Sequence, residues 1–180
     1  MKSISLLTIV LVMAVQMSHA QQTTSDIRQL SAIVELYSKS VIERDSAVFY
    51  DLFDNGVVTW CAALKPASRV RELEAKGSKA PESNYFSGSH KRFMRSLFRY
   101  KTTEDKFDNI SITTDGTVAS VMMDYSFWAN NAMTNWGNKY LTLIKKDGSW
   151  KITGVLYSLE LTQYFPQPTL SERQRLRAVQ

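Results

Sequence analysis

Hydrophobic positions recur at helical spacing early in this chain and alternate later in it. Ile27, Leu30, Val34, Tyr37 and Val41 follow one another at three- and four-residue steps, the apolar stripe of an amphipathic helix. Arg28, Glu35, Lys39 and Glu43 take the opposite face, with Glu35 and Lys39 at the favourable i,i+4 spacing. The pattern predicts a helix from about Asp26 to Glu43, capped by Ser25. Asp45 reads as the cap of a second helix, Ser46 to about Phe53, which Asp54-Asn55-Gly56 stops. Val57 to Cys61 is β-branched and aromatic, a first strand. From Lys65 to Tyr85 the pattern breaks around Pro66, Gly77 and Pro81. A short helix over Ser68 to Ala75 fits there; the rest reads as a loop, either a lid or binding loop or a disordered connection. Ser87-Gly88-Ser89 then introduces a third helix, about His90 to Tyr100, with Phe86, His90, Phe93, Leu97 and Tyr100 on one face and Lys91, Arg95 and Arg99 on the other.

Beyond Tyr100 the period changes to two. Lys106–Thr113, Thr117–Trp128 and the long stretch from Trp136 to Leu161 read as strands. Asp115-Gly116 and Asp147-Gly148 mark tight hairpin turns, and Asn130 to Asn135 a longer one. In the strand over Thr117–Trp128, Ala119, Val121, Met123, Tyr125 and Phe127 form a wholly apolar face directed at the core. Its other face, with Val118, Met122, Asp124 and Trp128, is mixed and suits water or a second subunit. Helices first and a strand meander last predict an α+β fold, with about three N-terminal helices packed on one face of a curved antiparallel sheet. Gln163 to Gln180 leaves the sheet through Pro166 and Pro168 as a loose or edge-covering tail.

Composition adds a compartment and removes several chemistries. Lys2, the apolar run Ile4 to Val15 and Ser18-His19-Ala20 have the order of a cleaved export signal over residues 1–20. The run is too short to be a comfortable membrane anchor. The expected mature domain spans 21–162, followed by the tail 163–180, in a secreted or periplasmic location. Without the leader, the chain has one histidine, His90, and one cysteine, Cys61. An internal disulfide and a structural Cys/His metal site are thereby excluded. One of the 22 Lys+Arg leaves with the leader and none of the 17 Asp+Glu, so the net charge becomes +4, too mild to argue for nucleic acid. The basic face of the third helix is either solvated or a patch for an anionic partner.

Two stretches carry a family resemblance: Tyr37 through Phe53 (YSKSVIERDSAVFYDLF) and Lys146 through Gly154 (KDGSWKITG). With the order of elements, they resemble the nuclear transport factor 2-like superfamily, in particular its SnoaL-like and ketosteroid isomerase-like branches. The resemblance covers about Ser25 to Leu161. It implies a cone, also described as cystatin-like, with an apolar pocket at its wide end. It implies no cofactor, and dimers are common. In the isomerase-like branch a tyrosine of the first helix donates to the developing oxyanion, and Tyr37 matches it. That branch also needs two carboxylic acids; counting forward from Tyr37 places Cys61 where the first would stand, and Thr142 is the nearest match to the second, on the penultimate strand. A base is then missing for isomerase chemistry. Scytalone dehydratase-like members use several histidines, of which only His90 is present.

Three functions remain open. The first is a pocket for a small, mostly apolar molecule, lined by Tyr37, Trp60, Cys61, His90, Tyr125 and Thr142. The second is a lyase or isomerase with His90 or Asp124 as base and Tyr37 as hydrogen-bond donor. The third is a non-catalytic homodimeric interaction module, joined through the sheet face that bears Met122 and Trp128.

Overall fold

The computed structural model describes residues 24–178, and the leader expected over residues 1–20 lies outside them. Helix α1 (24–43) is already helical at its first described residue, so Ser25 sits within the helix rather than at its cap. Its stripe of Leu30, Val34, Tyr37 and Val41 is buried. Arg44 turns the chain with a φ of 55°, and Asp45 caps α2 (Ser46–Asp51), accepting from the amides of Ala47 and Val48 at 3.0 Å each. Strand β1 (Thr59–Leu64) is followed by α3 (Pro66–Lys76), β2 (Tyr85–Ser87) and α4 (His90–Leu97). Pro66 suits the first turn of α3, where its missing N–H costs nothing. Helix α3 starts earlier than the pattern suggested, and β2 lies where a loop was expected.

Four long strands complete the sheet: β3 (Thr103–Thr114), β4 (Val118–Ala129), β5 (Ala132–Lys146) and β6 (Ser149–Leu161). Their turns are all tight. Asp115 accepts from the amides of Thr117 and Val118, and Asp147 and Gly148 both have positive φ, as the hairpin turn matching strand twist requires. The expected longer connection after β4 is instead the two-residue turn Asn130-Asn131, with φ of 52° and 63°; asparagine tolerates that region, so the strands run on to meet it.

The strand order is β2-β1-β6-β5-β4-β3. The sheet is mixed rather than wholly antiparallel, because β1 lies parallel to β6. No hairpin joins these two strands, and alternation along β1 carries no information about its direction. Register shifts at Asp108/Ser111, Phe127/Trp128 and Thr142/Leu143 bend the sheet around α1. Its concave side contributes Val121, Met123, Leu141, Leu143, Ile152 and Val155 to one core with α1, Phe49, Met94 and Leu97. The segment expected as a tail forms α5 (Leu170–Arg177), opened by a capping box between Thr169 and Glu172. Helix α5 lies on the convex side, where Arg173 meets Asp124.

Candidate functional site

The concave side of the sheet is apolar near the closed end of α1 and becomes polar toward the open end. Along β3 the residues Thr103, Asp105 and Phe107 share the inward parity, and along β5 so do Lys139, Leu141 and Leu143. Two residues before Lys139, Gly137 lets β5 approach β6: a Cβ there would sit 2.1 Å from the carbonyl oxygen of Ser158. Asp105 and Lys139 thus face each other inside the cone, and their side chains form an ion pair that is almost wholly buried. The Ser38 hydroxyl of α1 donates to the Asp105 carbonyl at 2.7 Å, which fixes β3 against the helix.

The pair lies in an aromatic box. Lys139 Nζ is 4.6 Å from the ring centre of Tyr125, 5.1 Å from those of Tyr37 and Phe107, and 5.7 Å from that of Tyr157. Such faces attract a cation. Burial nevertheless dominates the titration. It raises the Asp105 carboxyl above the usual carboxylate range against the pull of Lys139, and it lowers the Lys139 ammonium. Burial and the Asp105 charge also push Tyr37 and Tyr125 well above ordinary phenols, so both hydroxyls stay protonated. The Tyr125 hydroxyl donates to Asn135 Oδ1 at 2.9 Å. Asp105 Oδ1 and the Tyr37 hydroxyl are both buried without a hydrogen-bond partner among the described residues. Such groups are costly to leave unpaired, and they cluster where a ligand or water completes them.

Beside the pair is a cavity of about 190 Å³, walled by Asp105, Lys139, Tyr125, Asn135, Trp60 and Tyr157, with Phe93, Ser96, Tyr100, Phe127 and Leu159 closing it. A second cavity of about 220 Å³ adjoins it under α4, and Trp60, Phe93, Ser96 and Tyr157 belong to both walls. A largely aromatic chamber with one carboxylate and one cation at its wall can hold a molecule with a single oxygen function. Lys139 could donate to that oxygen, and Asp105 could accept a proton beside it.

The structure brings together only part of the set read from the sequence. Trp60 and Tyr125 line the cavity, and Tyr37 lies behind Lys139. Cys61 has the opposite parity to Trp60, and its thiol is 2.9 Å from the Tyr85 hydroxyl on the convex side. Thr142 is exposed on that side too, 3.2 Å from Thr153 Oγ1, because Leu141 and Leu143 take the inward positions. His90 is outside the cavity wall, stacked on Phe53 with centroids 4.4 Å apart; burial lowers its pKa. Asp124 faces the convex side, as its parity implied, and accepts from Asn109, Asn138 and Arg173. Neither candidate base, His90 nor Asp124, is in the cone. The carboxylate that is there, Asp105, fell just before the predicted strand start at Lys106. Lys139 was legible, since period two places it with Leu141 and Leu143. Among the described residues, no group of three or more His, Cys, Asp or Glu is placed to hold a metal.

No family model matches the chain, and no curated protein is significantly similar to it. Solved structures do resemble it. An NTF-2-like protein of unknown function from Silicibacter pomeroyi is 18% identical over 77% of this chain and 98% of its own, with a TM-score of 0.55. A provisionally named scytalone dehydratase from Novosphingobium aromaticivorans is 15% identical over 79% of this chain and 89% of its own, with a TM-score of 0.58. LinA is 8% identical over 79% of this chain and 90% of its own, with a TM-score of 0.58. The chain has the nuclear transport factor 2-like fold that the resemblance of its sequence implied.

Proposed function

We propose that the cone binds a small, mostly apolar molecule bearing one oxygen function. The carrying observation is the buried Asp105–Lys139 pair at the wall of the aromatic cavity, with Asp105 Oδ1 left unpaired. An apolar body would displace water from the apolar surface of Trp60, Tyr125 and Tyr157, and the oxygen would accept from Lys139. A second reading, a lyase or isomerase, is favoured by that same oxygen of Asp105. In this reading Asp105 removes a proton from carbon next to the ligand's carbonyl, and Lys139 donates to the developing enolate oxygen. The fold is compatible with both, and one of the similar structures is named for a dehydratase.

We also propose that the protein is exported, on the pattern of residues 1–20, and that it dimerises through its convex sheet face. Native mass spectrometry of protein purified from its own host, before and after denaturation, tests the cone. A bound mass that leaves on denaturation, and that is lost from Lys139→Met, is expected. A folded wild type that carries no molecule and takes up none from a panel of small ketones and alcohols overturns the reading. If a ketone binds, exchange of its α-hydrogens in deuterium oxide tests the second reading. Asp105→Asn should slow that exchange by about a hundredfold or more.

A further inference from the structure

The second cavity differs from the first in charge. From Ser83 to Thr103 the chain has no Asp or Glu, and it carries five cations: Lys91, Arg92, Arg95, Arg99 and Lys101. Four of the five belong to α4 or the turn that follows it. Arg92 alone among them lines the 220 Å³ cavity. It is exposed, and no carboxylate pairs with it among the described residues. The α4 N-terminus opens on the same cavity through Gly88 and Ser89, adding helix-dipole potential of the same sign. The shared wall is aromatic at Trp60, Phe93 and Tyr157, and its one aliphatic hydroxyl, Ser96, donates to the Phe93 carbonyl, so between the buried ammonium and the arginine the lining is mostly aromatic.

A cleft lined by one sign of charge raises the local concentration of the opposite ion. We propose that Arg92 forms an anion subsite at the mouth of the cone, and that the ligand is an anionic amphiphile with its oxygen function at Lys139 and a carboxylate or phosphate end at Arg92. This rests on the cone reading above and names the ligand's class. The planar guanidinium suits two-point binding of either anion. The anion could belong to a free metabolite or to a lipid headgroup.

The test uses ω-benzoylalkanoic acids of graded chain length, which carry a ketone oxygen at one end and a carboxylate at the other, and their neutral primary amides, titrated calorimetrically into wild type, Arg92→Gln and Arg92→Lys. In wild type at low salt the best acid should bind about tenfold more tightly than its amide. Arg92→Gln should abolish that preference without weakening the amide, Arg92→Lys should keep part of it, and added salt should narrow it. Acid and amide binding equally in wild type, or a preference untouched by Arg92→Gln, overturns the subsite and leaves the cone reading standing. Binding of neither series overturns both. Vesicles of phosphatidylcholine with and without phosphatidylglycerol separate the sources. Arg92-dependent uptake of lipid into the cone, seen as a bound mass after vesicle removal, supports a headgroup ligand. Arg92-dependent vesicle adhesion with no acid preference makes the arginine a surface contact and sinks the proposal.

Discussion

Lys139 and Asp105 give up hydration to meet inside an apolar cone, and their attraction offsets that loss only while both are present. Removing one partner strands a buried charge. Asp105→Asn or Lys139→Met alone should therefore destabilise the protein by ~3 kcal/mol in urea titrations. The double change Asp105→Leu with Lys139→Met should recover most of that, since apolar groups of similar size suit the surroundings of Tyr37, Phe107 and Tyr125. Singles that cost under ~1 kcal/mol would mean the pair is wetter than its burial implies. At this scale the sequence was informative where parity decided. Alternation separated Tyr125 from Asp124 correctly, and the same rule applied to β5 identifies Lys139. It misled where Cys61 was counted forward from Tyr37 and Thr142 was matched to a place on the penultimate strand, because neither match carries knowledge of which side a strand residue faces. Cys61 and Thr142 both fell on the convex side for that reason. Asp105 was hidden by a strand boundary, since a charged run, Glu104-Asp105-Lys106, looks like a turn until its pairing with β4 is known.

Helices and strands with a strong period were legible as elements: α1, α2, α4 and the four long strands all follow from their apolar spacing and their Asp-Gly turns. Helix α5 was not, because it has almost no apolar face. Its Leu170 and Leu176 are exposed, and polar bonds hold it to the sheet instead. Arg173 donates to Asp124 at 3.0 Å, to Asp108 at 2.7 Å and to the Pro168 carbonyl at 2.6 Å. Charged hydrogen bonds of this kind are worth about 1.5–3 kcal/mol each when well shielded, more than α5 gains from burying its leucines. Arg173→Ala should therefore release α5 alone. Hydrogen exchange should quicken at least tenfold across α5 while β4 and β5 keep their protection. Unchanged exchange in α5 would show that contacts other than Arg173 hold it. The side chains that receive Arg173 lie far away in sequence, which is why neither composition nor period could place this helix.

For the molecule as a whole, the consequence of α5 is to divide the convex face. Its Arg173 and Leu176 border a cavity of about 260 Å³ with Met122, Asp124, Trp136 and Tyr140, so that end of the sheet is already occupied. Trp128, expected in a subunit contact, is engaged within its own chain, donating to Ser126 and lying 4.5 Å beneath the Lys106 ammonium. Beyond that cavity the face mixes exposed apolar side chains with the hydroxyls of Ser120, Thr142 and Thr153. Val118 pairs with Ile144 and Tyr140 with Leu156 across neighbouring strands, and these four are 51%, 39%, 42% and 54% exposed. Exposed apolar side chains on an uncovered sheet face suit a second copy, and a two-fold contact uses each residue twice. The dimer proposed above should therefore form through β5 and β6 rather than around Trp128. Leu156→Glu brings two carboxylates into such an interface and should convert the dimer to monomer in sedimentation equilibrium. Val155 and Tyr157 on either side of it point into the cone, so ligand uptake by the monomer should survive. Trp128→Ala should leave the dimer intact. Reversal of those two outcomes would move the interface to the α5 end, and a wild type that stays monomeric at high concentration would remove it.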